Sequence, residues 1–499
     1  MRTPEDYKES LRGMRPNVYK FGNLIEDVTT HPATRRMVEG HARIYEIALD
    51  DRYRDLATTE SALTGERVSR YLSLITGPQD MIANSRLKRL MFNLTGTCTG
   101  GRCVGWNALN ALWAITYEID AGHGTDYHDR LRRWLGDAQR HDIAVSGALT
   151  DPKGNRKLGP SQQADPDAYL HIVERRSDGI VVRGAKVMIA GVSASNEVFV
   201  LPTGSYGEDD ADYSVAFVTP RDAEGITVIE ARHPSDSRDL EEGEDSPVRG
   251  GGITQGYVLF DDVFVPEERV FMAGEWQYTG RLIMSFIGPY RSAIGGCVAG
   301  QGDLMIGAAV MMSRAHGLGE RAIRDKIVAM ATNNETTFGM GVAAGVLGRP
   351  HPSGVWQPDR LLANVNKVHV ATLPYETKRL TQEVAGGIGE TGCMPSWTDL
   401  TDPEYGDNLR RYLTTEVPGE ERYRLARFIE WLTIGGGVPG TMHGGGSPDG
   451  ARMLIGRSLD IDRLVGLVSD LLGLDAGEEG APAEGSLEGT PPAAPPTAG

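Results

Sequence analysis

Apolar residues recur at helical spacing over the first part of the chain, up to about residue 145. The segments that show this spacing are MVEGHARIYEIALDD, NALNALWAITYEID and YHDRLRRWLGDAQRH. Apolar positions three and four residues apart are typical of amphipathic helices, and successive helices of this kind form bundles. We therefore predict an N-terminal helical domain over residues 1–143.

The pattern then changes to short apolar or alternating runs separated by Gly, Asp and Pro. These runs are DAYLHIVERR, GIVVRGAKVMIAG, EVFVLPT, DYSVAFVTP, GITVIEAR and GYVLFDDVFVP. Six strands without helices between them favour an antiparallel barrel or sandwich. We assign residues 144–275 to this middle β domain and interpret the acidic segment 236–245 as a solvated loop.

Helical spacing returns from about Tyr278 to Leu474, which predicts a C-terminal helical bundle over residues 276–475. Small residues in GGCVAGQGDLMIGAAVMMSRAHG allow helices to pack closely. Residues 476–499 have almost nothing to bury, so we predict a disordered tail. The fold class is therefore α+β, with helical domains on both sides of an antiparallel β-barrel and a ligand cleft where they meet.

Charge and composition narrow the classes of partner. The 499 residues include 68 Asp or Glu and 51 Lys or Arg, for a net charge of -17. This acidity argues against nucleic acid and anionic membrane surfaces, because both require a basic patch. No stretch approaches the roughly 20 apolar residues of a membrane span. The charged start of the chain and its four cysteines favour a cytoplasmic protein without a secretory leader or a disulfide framework.

Three cysteines are candidate metal ligands. Cys98 and Cys103 are separated by four residues, and Cys297 lies far along the chain. A short-spaced pair of thiolates and a distant third suit an iron–sulfur cluster. Isolated buried thiols are more frequent, and the spacing alone favours that interpretation. We interpret Cys393 as a structural thiol.

Two loops are candidate cofactor sites. GALTDPKGNR offers the hydroxyl of Thr150 and the cations Lys153 and Arg156, which suit a flavin's polar edge or its diphosphate. TMHGGGSPDGARM places three glycines before a helical run, where backbone amides bind phosphate. Taken alone, each loop is more simply an ordinary connection, and His443 within the second is more simply structural.

Several motifs together resemble the family of 4-hydroxyphenylacetate 3-hydroxylases and 4-hydroxybutyryl-CoA dehydratases. They are YKESLRGMRPNVYKFG, RCVGWNALNALWAITYEID, GALTDPKGNR, DGIVVRGAKV, VLFDDVFVP, LLANVNK and MHGGGSP. The likeness is closer to the dehydratase branch. It implies an acyl-CoA dehydrogenase-like fold, usually a homotetramer, with FAD between the β domain and the helices. The cofactor-binding positions implied are Thr150, Lys153, Asn155, Arg156, Ala190, Met442, His443 and Gly444.

The dehydratase branch also implies a [4Fe-4S] cluster near the flavin. Cys98, Cys103 and Cys297 match its three cysteine ligands, although the family has three residues between the first two. The histidine ligand, seven residues before the third cysteine, corresponds to Tyr290. Tyr290 is therefore both a candidate ligand and a candidate proton donor.

Other dehydratase residues are absent. Its two catalytic Glu positions fall on Gly440 and Gly256, its Thr near the flavin on Ala190, and its Lys after the third cysteine on Val298. Without both carboxylates the obvious bases for removing a proton from carbon are missing. We therefore do not predict dehydration of 4-hydroxybutyryl-CoA.

The hydroxylase branch implies a substrate site of Arg, Tyr and His. These correspond to Arg102, Trp106 and Gly147, so only the arginine is kept. The guanidinium of Arg102 could bind a carboxylate or phenolate of the substrate. The alternative interpretation is a surface or ion-paired arginine with no substrate role. Trp106 suits stacking on a ring, and the alternative is a core residue.

Two functions follow with nearly equal weight. The first is an FAD-dependent oxidoreductase, a monooxygenase type that hydroxylates or oxidises a small aromatic or carrier-bound substrate, with a separate flavin reductase as a partner. The second is a [4Fe-4S]/FAD radical lyase or isomerase that acts on a CoA thioester. Catalytic candidates are Arg102, Tyr290 and His443. A third hypothesis is a flavin-binding protein that has lost catalysis and serves as a scaffold.

Overall fold

The computed structural model describes residues 1–232, 255–388, 391, 394–434 and 443–474. The chain divides into a compact unit of Met1–Leu454 and a second unit of Ile455–Gly499. The domain boundaries predicted at 143, 275 and 475 stay predictions. Several predicted features lie outside the described residues: the acidic loop 236–245, Cys393, Gly440, Met442 and the tail 476–499.

The first part of the chain is helical, as predicted, with four short strands that the periodicity did not reveal. Thr3 begins the first helix by accepting a hydrogen bond from the Asp6 amide, which is a standard helix start. The helices are α1 Pro4–Arg12, α2 Arg35–Leu49, α3 Arg54–Ala57, α4 Pro78–Thr95, α5 Gly100–His123 and α6 Tyr127–His141. The strands are β1 Val18–Lys20, β2 Asn23–Ile25, β3 Thr58–Glu60 and β4 Arg67–Ser69.

The middle strands form two sheets, and no closed barrel is found among the described strands. They are β5 Val145–Ala148, β6 His171–Arg176, β7 Gly179–Ala190, β8 Glu197–Val200, β9 Val215–Pro220, β10 Ile226–Glu230, β11 Gln255–Pro266 and β12 Val270–Ala273. One sheet has the order β2-β1-β10-β11-β7-β6 and the other β12-β9-β8-β5.

The expectation of a wholly antiparallel domain was wrong at two pairs. Strand β1 runs parallel to β10, and β5 runs parallel to β8. Alternation of apolar residues reveals a strand but not its neighbour, and β1 comes from a region that the sequence assigned to helices. Parallel neighbours need long connections, which the helices and loops between these strands provide.

The C-terminal part is again helical. After β12 follow α7 Thr279–Ala315, α8 Arg324–Val346, β13 Arg349–Pro350, β14 Trp356–Gln357, α9 Arg360–Val370, α10 Leu373–Ala385, α11 Trp397–Leu400, α12 Gly406–Leu413, α13 Gly419–Thr433, α14 Pro448–Ser458 and α15 Ile461–Leu472. Helix α7 packs against α4, α5, α8, α9, α10 and α13. Within the described chain it is the one helix long and apolar enough to cross a membrane, but 67% of its apolar window is buried, so core packing accounts for it.

Glycines bring helix α5 into backbone contact with the sheets. A Cβ at Gly105 would lie 2.3 Å from the Val145 carbonyl oxygen in β5, and one at Gly101 would lie 3.0 Å from the Ala190 carbonyl oxygen at the end of β7. Real Cβ atoms do not approach a carbonyl to 2.3 Å, so Gly105 has no substitute without a shift of α5. This contact fixes where the first turn of α5 stands.

Helix α7 is held in the same way from the other side. A Cβ at Gly296 would lie 2.2 Å from the Ser85 carbonyl oxygen in α4, and one at Gly295 would lie 2.3 Å from the Thr337 carbonyl oxygen in α8. The close packing expected of the small-residue run is therefore observed. It sets the position of Cys297, one residue further along.

A Gly105→Ala variant tests the contact between α5 and β5. Forcing a methyl group against backbone should cost about 1–3 kcal/mol of unfolding free energy, measured by urea denaturation. Gly136→Ala is the matched control, because a Cβ there meets its nearest neighbour, Leu63, at 3.9 Å and an alanine stabilises a helix by about 0.5–1 kcal/mol. Equal effects of the two variants would contradict the packing described.

Candidate functional site

The three candidate cysteines come together where α4, α5 and α7 meet. Helix α4 ends at Gly96, which has a left-handed φ of 68°, and the Thr95 hydroxyl donates to the Thr97 carbonyl at 2.9 Å. This tight turn carries Cys98 back towards the start of α5. Cys103 and Cys297 are 2% and 8% exposed, and Cys98 is half-buried.

The thiols influence one another. Hydrogen bonding with Cys103 and Cys297, with burial, raises the pKa of Cys98 well above its usual value. The hydrogen bond from Cys98 lowers the pKa of Cys103 to about 7, helped by the nearby ammonium of Lys88 and opposed by burial. Cys103 therefore becomes a thiolate, the form that binds metals, more readily than Cys98 does.

Tyr290 faces this thiol cluster, as its place in the sequence predicted. Burial and the negative charge of the three thiols raise the pKa of Tyr290. Its ring stacks on Phe286, with centroids 5.7 Å apart. The Lys88 ammonium lies 5.4 Å from the Tyr290 ring centroid, within cation–π range.

The MHGGGSP loop reaches the same helix turn. A Cβ at Gly445 would lie 2.8 Å from Tyr290 Cδ1, so the loop lies against that ring. Arg291 Nε donates to the Gly445 carbonyl at 2.8 Å, and its guanidinium also binds the Asn364 side chain in the LLANVNK segment. Gly444 is half-buried, whereas His443 is exposed.

The donor set has the chemistry of an iron–sulfur ligand set. Such clusters are bound at their corners by soft thiolates, and the converging side chains of Cys98, Cys103 and Cys297 supply three donors of that type. Among the residues that the structure describes, no group of three His, Cys, Asp or Glu side chains is arranged for a single metal ion.

Arg102 follows the cysteine turn and is fully buried. Its guanidinium donates to the Tyr45 hydroxyl at 2.5 Å and lies 5.2 and 5.5 Å from the Tyr45 and Tyr71 ring centroids. Its Nε and Nη2 atoms have no hydrogen-bond partner among the described residues. Burial and Arg102 lower the pKa of His41 to about 3, so this histidine, which the sequence did not reveal, is neutral.

The other two hydroxylase positions do not form a substrate site. Trp106 is fully buried and donates from Nε1 to the Ser73 carbonyl at 2.7 Å, so it is a core residue. A Cβ at Gly147 would lie 2.8 Å from Val104 Cγ1, so an imidazole does not fit there. Of the three, Arg102 alone keeps polar groups available for a ligand.

The GALTDPKGNR loop is anchored by a buried ion pair that sequence reasoning missed. The Lys186 ammonium in β7 lies 2.7 Å from the Asp151 carboxylate, and both side chains are 2% exposed. Lys186 also donates to the Leu201 carbonyl at 2.8 Å, and the Tyr206 hydroxyl donates to Asp151 at 3.3 Å. Burial raises the pKa of Asp151 and lowers that of Lys186, so each charge depends on the other.

The outer part of this loop presents two neighbouring cations. Lys153 and Arg156 are exposed, and burial together with Arg156 lowers the pKa of Lys153. The Asn155 amide donates to the Gln163 side chain at 2.9 Å, while the Thr150 carbonyl accepts from the Val187 amide at 2.7 Å. Two adjacent cations on an anchored loop suit the diphosphate of a flavin dinucleotide.

A buried carboxylate lies opposite one of the missing glutamates. Glu230 in β10 is directly opposite Gly256 in β11, and opposite residues place their side chains on the same face. Glu230 is 3% exposed and accepts a hydrogen bond from the Ser193 hydroxyl. A Cβ at Gly256 would lie 2.8 Å from Val192 Cγ1. On the sheet face shared by positions 230 and 256, the carboxylate is therefore supplied by Glu230 of β10. Only the strand register shows that these two positions are opposite each other.

Comparison with known proteins covers nearly the whole chain. Models of the 4-hydroxyphenylacetate 3-hydroxylase N-terminal and C-terminal domains match residues 3–272 and 279–473. The 4-hydroxybutyryl-CoA dehydratase/vinylacetyl-CoA-Δ-isomerase of Clostridium aminobutyricum is 38% identical over 95% of this chain and 99% of its own length. The chain therefore belongs to the 4-hydroxyphenylacetate 3-hydroxylase family, which includes this dehydratase. The predicted family is thus confirmed.

Other members of the 4-hydroxyphenylacetate 3-hydroxylase family extend the comparison. The oxygenase component of a 4-hydroxyphenylacetate 3-monooxygenase from a Geobacillus strain is 27% identical over 87% of this chain and 88% of its own. An oxygen-tolerant archaeal 4-hydroxybutyryl-CoA dehydratase from N. maritimus superposes with a TM-score of 0.93 at 37% identity, covering 97% of both chains.

A structure of an oxygenase component complexed with FAD superposes with a TM-score of 0.81 at 22% identity, over 95% of this chain and 98% of its own. The acyl-CoA dehydrogenase-like fold predicted for this family member is confirmed. So is its assignment as an enzyme, because the relatives are monooxygenases and a dehydratase. The roles predicted for individual site residues stay predictions.

A Lys186→Met variant tests whether the ion pair anchors the GALTDPKGNR loop. It leaves Asp151 buried without its partner, so we expect a loss of about 3–5 kcal/mol in unfolding free energy by chemical denaturation. The Asp151→Asn/Lys186→Met double variant removes the stranded charge and should recover much of that loss. A single variant as stable as the parent would show that the pair is not an anchor.

Proposed function

We propose that this protein is an FAD-dependent oxidoreductase that hydroxylates or oxidises a small organic substrate. The anchored loop with Lys153 and Arg156 carries this proposal, because its two exposed cations suit a diphosphate. The loop continues from β5, whose Gly147 packs against Val104 of α5. FAD in a solved relative of the same fold supports the same cofactor here. Lys153, Asn155 and Arg156 would hold the flavin's polar part, and the flavin would supply the electron transfer.

Arg102 has the chemistry to position the substrate. Its two N–H groups without described partners suit a carboxylate or phenolate, and a buried guanidinium binds such groups strongly. Tyr290 is a protonated phenol near neutral pH, because burial and the thiols raise its pKa. It is therefore able to donate a proton, and His443, which is exposed, is the weaker candidate.

A second function is favoured by the convergence of Cys98, Cys103 and Cys297. These thiols would hold an iron–sulfur cluster, and Tyr290, which interacts with all three thiols, is the candidate fourth ligand. The protein would then be a lyase or isomerase of carrier-bound substrates, as the name of the 38% identical relative indicates for that protein. Glu230 would supply a carboxylate base in place of the missing residue at 256.

The proposal extends to partners. The relatives named as oxygenase components support a separate reductase that delivers reduced flavin. We also propose that the protein acts on a small-molecule substrate, forms a homotetramer and is located in the cytoplasm.

Anaerobic purification separates the two functions. Iron and acid-labile sulfide at about four per subunit, with broad absorbance near ~400 nm, would support the iron–sulfur lyase. Bound FAD without iron, with oxygen consumed once the flavin is reduced, would support the oxidoreductase. Protein that binds no FAD after supply of the cofactor would contradict both.

A Cys297→Ala variant tests the cluster assignment. If the cluster is present, losing one thiolate ligand should lower the iron content per subunit to a small fraction of the parent value, with FAD content retained. Cys393→Ala removes a thiol from outside the proposed ligand set and should leave the iron content unchanged. A Cys297→Ala protein with full iron would overturn the assignment.

A Glu230→Gln variant tests the carboxylate on β10. Glutamine keeps the shape and the hydrogen bond with Ser193 but has no charge, so a role as general base predicts a fall of about 10²–10⁴ in turnover. The FAD content and melting temperature should stay near those of the parent. Glu230→Asp should restore part of the activity, and full activity in Glu230→Gln would exclude the role.

A further inference from the structure

A cavity of about 300 Å³ lies beside the site described above. It is formed by the C-terminal half of α5, the first turns of α7, the β13–β14 hairpin and the start of α9. Its ionisable lining residues are Glu118, Arg281, Arg349, His351 and Arg360, and Ser285 and Gln357 are its other polar side chains. None of its lining residues belongs to the loop that carries Lys153 and Arg156.

The cavity has an excess of positive charge. Its one lining carboxylate, Glu118, is already engaged by Arg281 at 2.7 Å and by His351 Nε2 at 2.8 Å. Neither Arg349 nor Arg360 forms an ion pair with any residue that the structure describes. Two such arginines facing one cavity are conspicuous in a chain of net charge -17, where carboxylates are the more abundant partners.

The shape and remaining lining define the ligand further. Gly280 belongs to the first turn of α7, and the N-terminal end of a helix adds a positive potential. Met284, Pro289 and Pro358 give the cavity apolar walls. Its volume is at the lower end of the range for small-molecule sites. An anion with an organic body fits both the cations and these walls.

The cavity lies close to the candidate active site. Pro289, in its wall, immediately precedes Tyr290 on α7. Successive residues of a helix are rotated by about 100°, so the cavity and Tyr290 occupy neighbouring faces of one helix. A molecule held in the cavity would therefore stand near Tyr290.

We propose that this cavity binds the phosphate of an organic phosphate ester, with Arg349 and Arg360 as its principal ligands. Arg281 and the first turn of α7 complete the positive side, and Met284 and Pro289 contact the organic body. Binding here is a property of the cavity and does not require the flavin chemistry proposed above. Because Lys153 and Arg156 are proposed to hold the flavin's diphosphate, the phosphate bound in this cavity belongs to a separate ester, the substrate's carrier.

Calorimetric titration of the purified holoprotein with ADP, coenzyme A and inorganic phosphate tests the proposal. We expect ADP or coenzyme A to bind, and the Arg349→Gln/Arg360→Gln variant to bind at least about tenfold more weakly, because it loses the charge-assisted hydrogen bonds to the phosphate. Arg132→Gln/Arg140→Gln is the control, since it removes two exposed arginines of α6 and changes the net charge equally.

The FAD content of the cavity variant separates this site from the cofactor site. Normal FAD content with weakened ADP or coenzyme A binding supports a site for a separate phosphate ester. Loss of FAD from the cavity variant but not from the control would place the cofactor's own diphosphate in the cavity and overturn the proposal. Absence of binding by all three probes with FAD content unchanged, or equal binding by the cavity and control variants, would overturn the proposal.

Discussion

Backbone-to-backbone contact at glycines is the constraint on which the rest of this structure depends. Gly105 lets α5 touch β5, and Gly295 and Gly296 let α7 touch α8 and α4. Because these contacts leave no space for a side chain, the helices have almost no freedom to slide. Cys103 and Cys297 lie one or two residues from these glycines, so the packing itself determines how close the thiols come.

The site that results combines buried thiols with buried cations. Lys88 lies near both Cys103 and Tyr290, and Arg102 lies one position before Cys103. Such cations stabilise thiolates or a bound anionic group in a region that excludes water. The glycine loop at Gly445 lies against Tyr290 from the other side.

The sequence predicted the elements well because periodicity reports burial directly. The α5 pattern NALNALWAITYEID is buried along most of its length, as its spacing indicated. The pairing of the strands was harder to predict, since the alternation of apolar and polar residues contains no information about which strands are neighbours. Trp106 shows a second limit of sequence-based prediction. From the sequence alone, a tryptophan is equally compatible with packing in the core and with stacking on a ligand. Its buried indole hydrogen bond decided for the core.

Site residues far apart in the chain could not be predicted without the fold. Nothing in the sequence links Asp151 to Lys186, because they meet where the loop after β5 packs against β7. Likewise, nothing links Glu230 to Gly256, which meet through the register of β10 and β11. The thiol cluster was predicted only through the family resemblance, since the spacing of Cys98 and Cys103 alone favoured inert thiols. Physical proximity of the third cysteine depends on α7 packing, which is a property of the whole fold.

Disulfide mapping of the iron-free protein tests the central claim that the three thiols converge. Trypsin cleaves after Arg102, so Cys98, Cys103 and Cys297 fall in three different peptides. In a Cys103→Ser variant, where Cys98 cannot pair with Cys103, we expect mild oxidation of the folded protein and mass spectrometry to reveal a crosslink between the Cys297 peptide and the Cys98 peptide. A Cys297 that stays a free thiol, while the protein remains folded and other cysteines are oxidised, would contradict the claim.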